Sequence, residues 1–329
     1  MESFTEGESS SIGKLNVRAI RKALLRWFRA QQRDLPWRRT RDPYAVWISE
    51  IMLQQTRVAA VIPYYERFLE RFPDFRALAA APEEEVLRMW AGLGYYSRAR
   101  NLHRAARQMV ELGGFPRSYE TLRRLAGIGD YTAGAVASIA FCAPHVAIDG
   151  NVRRVVTRLS GDAAVEVRAQ AEALLDRRHP GEWNQALMEL GATVCAPRQP
   201  RCAECPVVRW CGARAAGLER VLPLSKAKAK PTRKDRTLLV IRRRGRVLLV
   251  PSARVVGFWD LPEPFPGAQI GARLGAFRHA ITTSQYVFDV REARCEAPPP
   301  GARWWRDAEL AEAPLATVAK KALALLRSV

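Results

Sequence analysis

Four of the six cysteines in this chain fall within one short segment, Cys195-x6-Cys202-x2-Cys205-x5-Cys211. Four sulfur ligands on a single loop define a centre around which the neighbouring chain must close. Pro197, Pro200 and Pro206 stiffen that loop, as a compact ligand shell requires. From spacing alone, a zinc ion held by four thiolates and a [4Fe–4S] cluster both satisfy the pattern. Disulfides are the poorer reading, because the chain opens on the acidic and polar MESFTEGESS rather than on a secretory signal. Cys142 and Cys295 stand apart and read as buried or incidental thiols.

The 329 residues divide by pattern. Residues 1–13 read as a disordered tail, and helical periodicity runs from Leu15 to about Leu224, with short loops marked by Gly and Pro. The expected helices include Val17–Ala30, Tyr44–Val58, Pro82–Trp90, Arg98–Leu112, Tyr131–Phe141 and Asn151–Leu159. Ser225–Asp235 is a basic linker holding Lys226, Lys228, Lys230 and Lys234, half of the eight lysines. Beyond it, Thr237–Val250 reads as a β-hairpin turning near Gly245, Gln285–Glu292 alternates weakly, and Pro314–Leu326 reads as a closing helix. The expectation is a helical domain over 14–224 and a small α+β domain over 236–329.

Charge narrows the partner. Against 33 acidic residues stand 53 Lys+Arg, a formal net charge of +20, which on a folded chain points to a polyanion and most commonly to nucleic acid. A 48% hydrophobic content excludes wholesale disorder. The longest stretch without Asp, Glu, Lys or Arg, Tyr131–Ile148, is interrupted by Ser138, Pro144 and His145 and is a poor membrane span. A soluble, cytoplasmic protein with no membrane partner is expected.

The chemistry-bearing residues lie in three further motifs. Leu125-Ala126-Gly127-Ile128-Gly129-Asp130-Tyr131 places a GxG turn before a helix of small residues, where free N–H groups can meet a phosphate. Asp149 follows twenty residues after Gly129 at the start of another helix, as an N-cap, a pocket carboxylate, or both. Val46, Glu50 and Leu53 share one helical stripe, so Glu50 sits on an apolar face. Desolvation there would raise its pKa, as a general acid requires.

Together these motifs resemble the adenine DNA glycosylases, the MutY family of the endonuclease III superfamily. The resemblance rests on the cysteine spacing, the Gly127–Gly129 hairpin and Val46–Arg57. Ile62-Pro63-Tyr64-Tyr65, Gly92–Asn101 and Asn184-Gln185-Ala186-Leu187 also match. It runs from about Leu15 to Gly212. It implies a helix-hairpin-helix glycosylase fold, a [4Fe–4S] cluster on the four cysteines, and excision of adenine opposite 8-oxoguanine or G in duplex DNA. A monomer in the bacterial nucleoid is the corresponding expectation. Glu50 would protonate N7 of the extruded adenine and Asp149 would stabilise the sugar cation, with Asn151 and Tyr131 in support. Arg33, Trp37, Arg38, Leu53 and Gln185 would line the adenine pocket. Gln55 and Tyr95 would fill the gap in the base stack, and Gly127, Gly129, Arg198 and Arg201 would meet phosphates. Glycosylases that also nick the strand use a lysine at the position of Tyr131. No lysine occurs between Lys22 and Lys226, so water rather than an amine is the expected nucleophile.

After the linker the likeness is to a reduced Nudix-like domain that reads the opposite base. Gly257–Pro262 and Phe277-Arg278-His279 fit that domain. Ile281-Thr282-Thr283 stands where the family has Phe-Ser-His, and no Glu-rich Nudix box occurs. Only 14 residues separate Pro262 from Phe277, so the Nudix-like helix is expected to be missing. Thr282, Thr283 and Ser284 are the candidate opposite-base readers. Three alternatives stay open on these residues: adenine excision opposite G without lesion preference, thymine excision opposite G, and a non-catalytic DNA-binding scaffold.

Overall fold

The computed structural model describes residues 16–224, 232–254, 257–281, 284–311 and 313–327. The expected tail over 1–13, residues 225–231 of the expected linker, and Thr282 and Thr283 lie outside them. The chain forms two compact units, Met1–Lys226 and Ala227–Val329.

The first unit is helical: α1 (Val17–Gln31), α2 (Pro43–Met52), α3 (Val58–Arg71), α4 (Phe75–Ala80), α5 (Glu83–Trp90), α6 (Tyr96–Glu111), α7 (Tyr119–Arg123), α8 (Asp130–Phe141), α9 (Gly150–Ser160), α10 (Val167–Leu174), α11 (Pro180–Thr193) and α12 (Gly212–Ala215). Side-chain caps start many of them. Asn16 accepts from the Ala19 N–H, Asp42 from Ala45 ahead of Pro43, and Asp149 from Val152. One core gathers Ile20, Leu24 and Phe28 of α1 with Val155, Leu159, Trp183 and Leu190 of α9 and α11. Trp47, Phe68 and Trp90 are fully buried on α2, α3 and α5. Each such side chain contributes roughly 2–3 kcal/mol of burial.

Two details depart from the sequence expectation. Tyr44–Val58 is not one helix: α2 stops at Met52, Gln55 adopts φ 57°, and α3 begins at Val58. The Arg98 guanidinium donates to the carbonyls of Ile51, Met52 and Gln54, and Ile51 also accepts from the Gln54 N–H at 3.4 Å. The linker also ends earlier than expected, because its last residues, 232–235, already pair in a strand.

In the second unit, β1 (Thr232–Arg243) and β2 (Arg246–Pro251) form the expected hairpin across Arg244-Gly245. β3 (Trp259–Asp260), β4 (Ala268–Ile281), β5 (Ser284–Cys295) and β6 (Arg303–Arg306) complete the sheet, in the order β3-β2-β1-β5-β4 with β6 on β2. β1 and β5 run parallel and β4 and β5 antiparallel. The helix α13 (Thr317–Ala324) supplies Val318, Ala319 and Ala322 to a core with Leu238, Val240, Phe288 and Val290. Between Pro262 and Phe277, where the Nudix-like helix is expected to be missing, the chain enters β4 at Ala268.

Candidate active site

A cavity of about 820 Å³ opens in the helical unit among α2, α8, α9 and α11. Its wall contains most of the residues that the sequence motifs single out: Arg33, Trp37, Arg38, Glu50, Leu53, Gln55, Gly127, Gly129, Tyr131, Asp149, Asn151 and Gln185. A larger groove of about 1120 Å³ runs along α1 beside Arg18, Lys22, Arg26 and Arg29, but Asp176 is its single carboxylate, so no pair of carboxylates meets there.

The approach of α8 to the cavity depends on small residues. Gly127 turns with φ 73°, and a Cβ there would strike Asn101 at 2.6 Å. At Gly134 a Cβ would collide with the Val146 carbonyl, so the glycine lets α8 lie against the segment that delivers Asp149. Asn184 pins the same segment: it accepts from the Ala147 N–H at 3.2 Å and donates to the His145 carbonyl at 2.8 Å.

Glu50 is 6% exposed, on a helix that is buried along its length. The Tyr131 hydroxyl donates to Glu50 Oε2, and also lies 3.6 Å from Met188 Sδ. Burial pushes the Glu50 pKa up to about 7; the Tyr131 hydrogen bond and Arg38 pull against this, while the Asp149 charge adds to it. Burial, and then the Glu50 charge, hold the Tyr131 phenol protonated well above its ordinary range. With Oε2 occupied, the proton that Glu50 carries near neutral pH belongs on Oε1.

Asp149 is both cap and cavity carboxylate. Oδ1 accepts from the Val152 N–H at 2.7 Å and Oδ2 from Asn151 Nδ2 at 2.8 Å. Asn151 is oriented in turn by Arg154, which donates to its Oδ1 at 2.8 Å, to Gly191 O at 2.7 Å and to Cys195 O at 2.8 Å. A run of hydrogen bonds therefore leads from the cysteine loop to the Asp149 carboxylate.

Sequence reading missed Glu189, on α11, which is 1% exposed. Arg33 holds it with a bidentate fork at 2.7 Å on each oxygen, and Arg38 adds a third contact at 2.7 Å. Burial would raise its pKa, but the Arg33 and Arg38 hydrogen bonds prevail and bring it down to about 2. The two arginines assigned to the pocket wall are thus already committed to a carboxylate. Nothing local marks Glu189, because its partners lie more than 150 residues away.

The remaining candidates lie elsewhere. Tyr95 is half exposed, in the left-handed conformation at the start of α6, and is absent from the cavity wall. Arg198 is exposed, whereas Arg201 is held by Glu204 at 3.2 Å and by the Thr193 carbonyl at 2.7 Å. Ser284 opens β5 in the second unit. Cys142 is exposed, which removes the buried reading for that thiol.

The four clustered cysteines form no disulfide, and burial above all raises the thiol pKa of Cys202, Cys205 and Cys211. Fully buried Arg158 braces their loop by donating to Ala196 O and Pro197 O at 2.8 Å and to Cys195 Sγ at 3.2 Å. Among the described residues no three His, Cys, Asp or Glu side chains form a group that could hold one metal ion. Four sulfurs on one loop are by their chemistry a donor set for a thiophilic metal centre, a zinc ion or an iron–sulfur cluster.

A helical unit with a glycine hairpin beside a cavity is the arrangement that the resemblance to the helix-hairpin-helix base-excision proteins implies. The family described as "HhH-GPD superfamily base excision DNA repair protein" matches residues 48–180. The chain belongs to that superfamily, within its adenine DNA glycosylase (MutY) family. It is 50% identical over 217 residues to the human adenine DNA glycosylase, an alignment covering 60% of this chain and 40% of that protein. The chain thus spans less than half the length of this relative. Among solved structures, it resembles a thermostable thymine-DNA glycosylase with 30% identity and TM-score 0.58, covering 61% of this chain and 97% of that one. It also resembles a trapped endonuclease III–DNA covalent intermediate with 25% identity and TM-score 0.53, covering 62% and 99%.

Proposed function

We propose that the protein is a monofunctional adenine DNA glycosylase of base excision repair, acting on adenine mispaired with 8-oxoguanine or G. The observation that carries this reading is the Glu50 carboxyl, buried in the cavity with a pKa near 7 and with Asp149 close enough to raise it. The target adenosine swings out of the duplex into the cavity. Glu50 Oε1 gives its proton to adenine N7, the C1′–N9 bond breaks, and its electron pair leaves with the neutral base. The Asp149 carboxylate faces the positive charge that develops on the sugar. Ionised Glu50 then takes a proton from the water that attacks C1′, which restores the starting state.

The four cysteines would hold a [4Fe–4S] cluster, whose contribution is to fix the loop that presents Arg198 to DNA. Thr282, Thr283 and Ser284 are proposed to contact the opposite base. Thymine excision is the weaker reading, because a pyrimidine has no N7 to receive the Glu50 proton.

Single-turnover base release on duplexes bearing A opposite 8-oxoguanine, G, C or T, and T opposite G, at one salt concentration, tests the reading. Adenine release opposite 8-oxoguanine and G, without thymine release, is expected. Thymine release alone, or duplex binding without any base release, would overturn it. Borohydride should trap no covalent adduct on the helical unit, since that unit has no lysine between Lys22 and Lys226.

A further inference from the structure

Arg98 is 9% exposed, and its side chain donates to carbonyl and hydroxyl oxygens rather than to a carboxylate. Its two terminal nitrogens donate to oxygens from two separate segments, while its buried Nε has no partner among the described residues. Nη1 donates to the carbonyls of Ile51 at 2.8 Å, Met52 at 3.0 Å and Gln54 at 2.6 Å. Nη2 donates to Thr56 Oγ1 at 3.1 Å and to the carbonyls of Leu93 and Gly94 at 3.3 Å. The first set is the carbonyl end of α2 and Gln54 just beyond it, where the partial negative charge of the helix suits a cation. The second set includes the turn that leads into α6.

These contacts bracket two residues. Gln54 O and Thr56 Oγ1 flank Gln55, while Gly94 O precedes Tyr95 and the Arg98 N–H donates to Tyr95 O at 2.9 Å. Gln55 and Tyr95 are both exposed, and both take positive φ, 57° and 49°, a conformation that residues with a Cβ disfavour. The Tyr95 and Trp90 rings each lie 5.3 Å from the guanidinium. Two exposed side chains in costly conformations are therefore tied, through one buried cation, to the helix that carries Glu50.

We propose that Arg98 is a positioning residue that holds Gln55 and Tyr95 in register with α2, so that opening of the base stack delivers the target base to Glu50; this rests on the glycosylase reading above. Lysine retains the charge at this position but cannot span both sets of oxygens with a planar fork.

The test is a double-mutant cycle on the full chain with R98K, Y95A and R98K/Y95A. Its two readouts are single-turnover adenine release opposite 8-oxoguanine, and fluorescence of 2-aminopurine placed at the target position as a reporter of unstacking. R98K should lower base release by about 30–100-fold, the scale of a lost charged hydrogen bond, with a parallel loss of the opening signal. In the Y95A background the same change should cost less than about threefold. The alkaline limb of the pH–rate profile, set by Glu50, should not move. Multiplicative losses in the cycle, or a displaced pH limb with unstacking intact, would overturn the proposal. T56V removes a single Arg98 contact and covers the case in which R98K does not fold; it should lose release and opening together by about tenfold, and loss of release alone would count against the idea. A wild-type protein that unstacks 2-aminopurine but releases no base would sink the glycosylase reading, while the opening signal still judged Arg98.

Discussion

Glu50 and Glu189 are both buried glutamates in the wall of one cavity, on α2 and α11, and their environments drive them in opposite directions. Glu50 meets a phenol hydroxyl, one distant arginine and a second carboxylate, so burial prevails and its pKa rises to about 7. Glu189 meets the Arg33 fork and a single Arg38 contact at hydrogen-bond distance, so it stays charged down to about 2. Burial is common to both, and the partner decides the outcome. One carboxyl is left able to gain and lose a proton near neutrality, and the other becomes a permanent strut.

Breaking the reactive member of the pair should have the largest effect. Glu50→Gln should reduce single-turnover base release by about 1000-fold, the scale of general acid catalysis, while gel-shift affinity for the duplex stays near wild type. Loss of binding in step with activity would make Glu50 structural.

The strut should respond in stability. Glu189→Gln leaves Arg33 and Arg38 without their carboxylate and should cost about 3–5 kcal/mol, seen as a melting temperature lower by roughly 10 °C. In the intact protein, the Glu189 pKa is depressed on folding, so its stabilisation is present above about 4.5 and lost as pH falls toward about 2. The drop in its pKa corresponds to about 3 kcal/mol over that window. Unfolding titrations should show this acid sensitivity in the wild type and a flatter profile in the variant.

The smallest effect sharpens the comparison. Tyr131→Phe removes the hydrogen bond that lowers the Glu50 pKa, so the carboxyl should hold its proton to higher pH. Base release needs protonated Glu50, so wild-type rates should fall as pH rises above about 7. In the variant that fall should begin at higher pH, with less than about tenfold change in the plateau rate. A limb that moves to lower pH would mean that Tyr131 does not act through Glu50.

Much of this site could be read from local pattern. Glu50 on the stripe of Val46 and Leu53, Asp149 ahead of Asn151, the Gly127–Gly129 turn and the four-cysteine spacing are motifs of short range, and all but the cysteines meet at the cavity. Arg98, Arg154, Arg158 and Glu189 were not legible, although each organises a functional segment. Their partners lie 151 or more residues away for Glu189, and mostly more than 35 away for the three arginines. In a chain with 53 basic residues, nothing local separates a buried arginine from a solvated one. The break between α2 and α3 was missed for the same reason, since the group that ends α2 arrives from α6.

The amino-acid order by itself determined the inventory: two carboxyl groups in their motifs, a tyrosine where an amine would otherwise stand, four thiols on one loop, and no lysine between Lys22 and Lys226. These are facts of covalent identity, which no packing can alter. Only the tertiary structure decided what each group does, because desolvation and Coulomb interaction depend on distances that the chain sets after folding. Glu50 and Glu189 carry the same side chain, and the partners brought to each by distant helices make one an acid and the other an anchor.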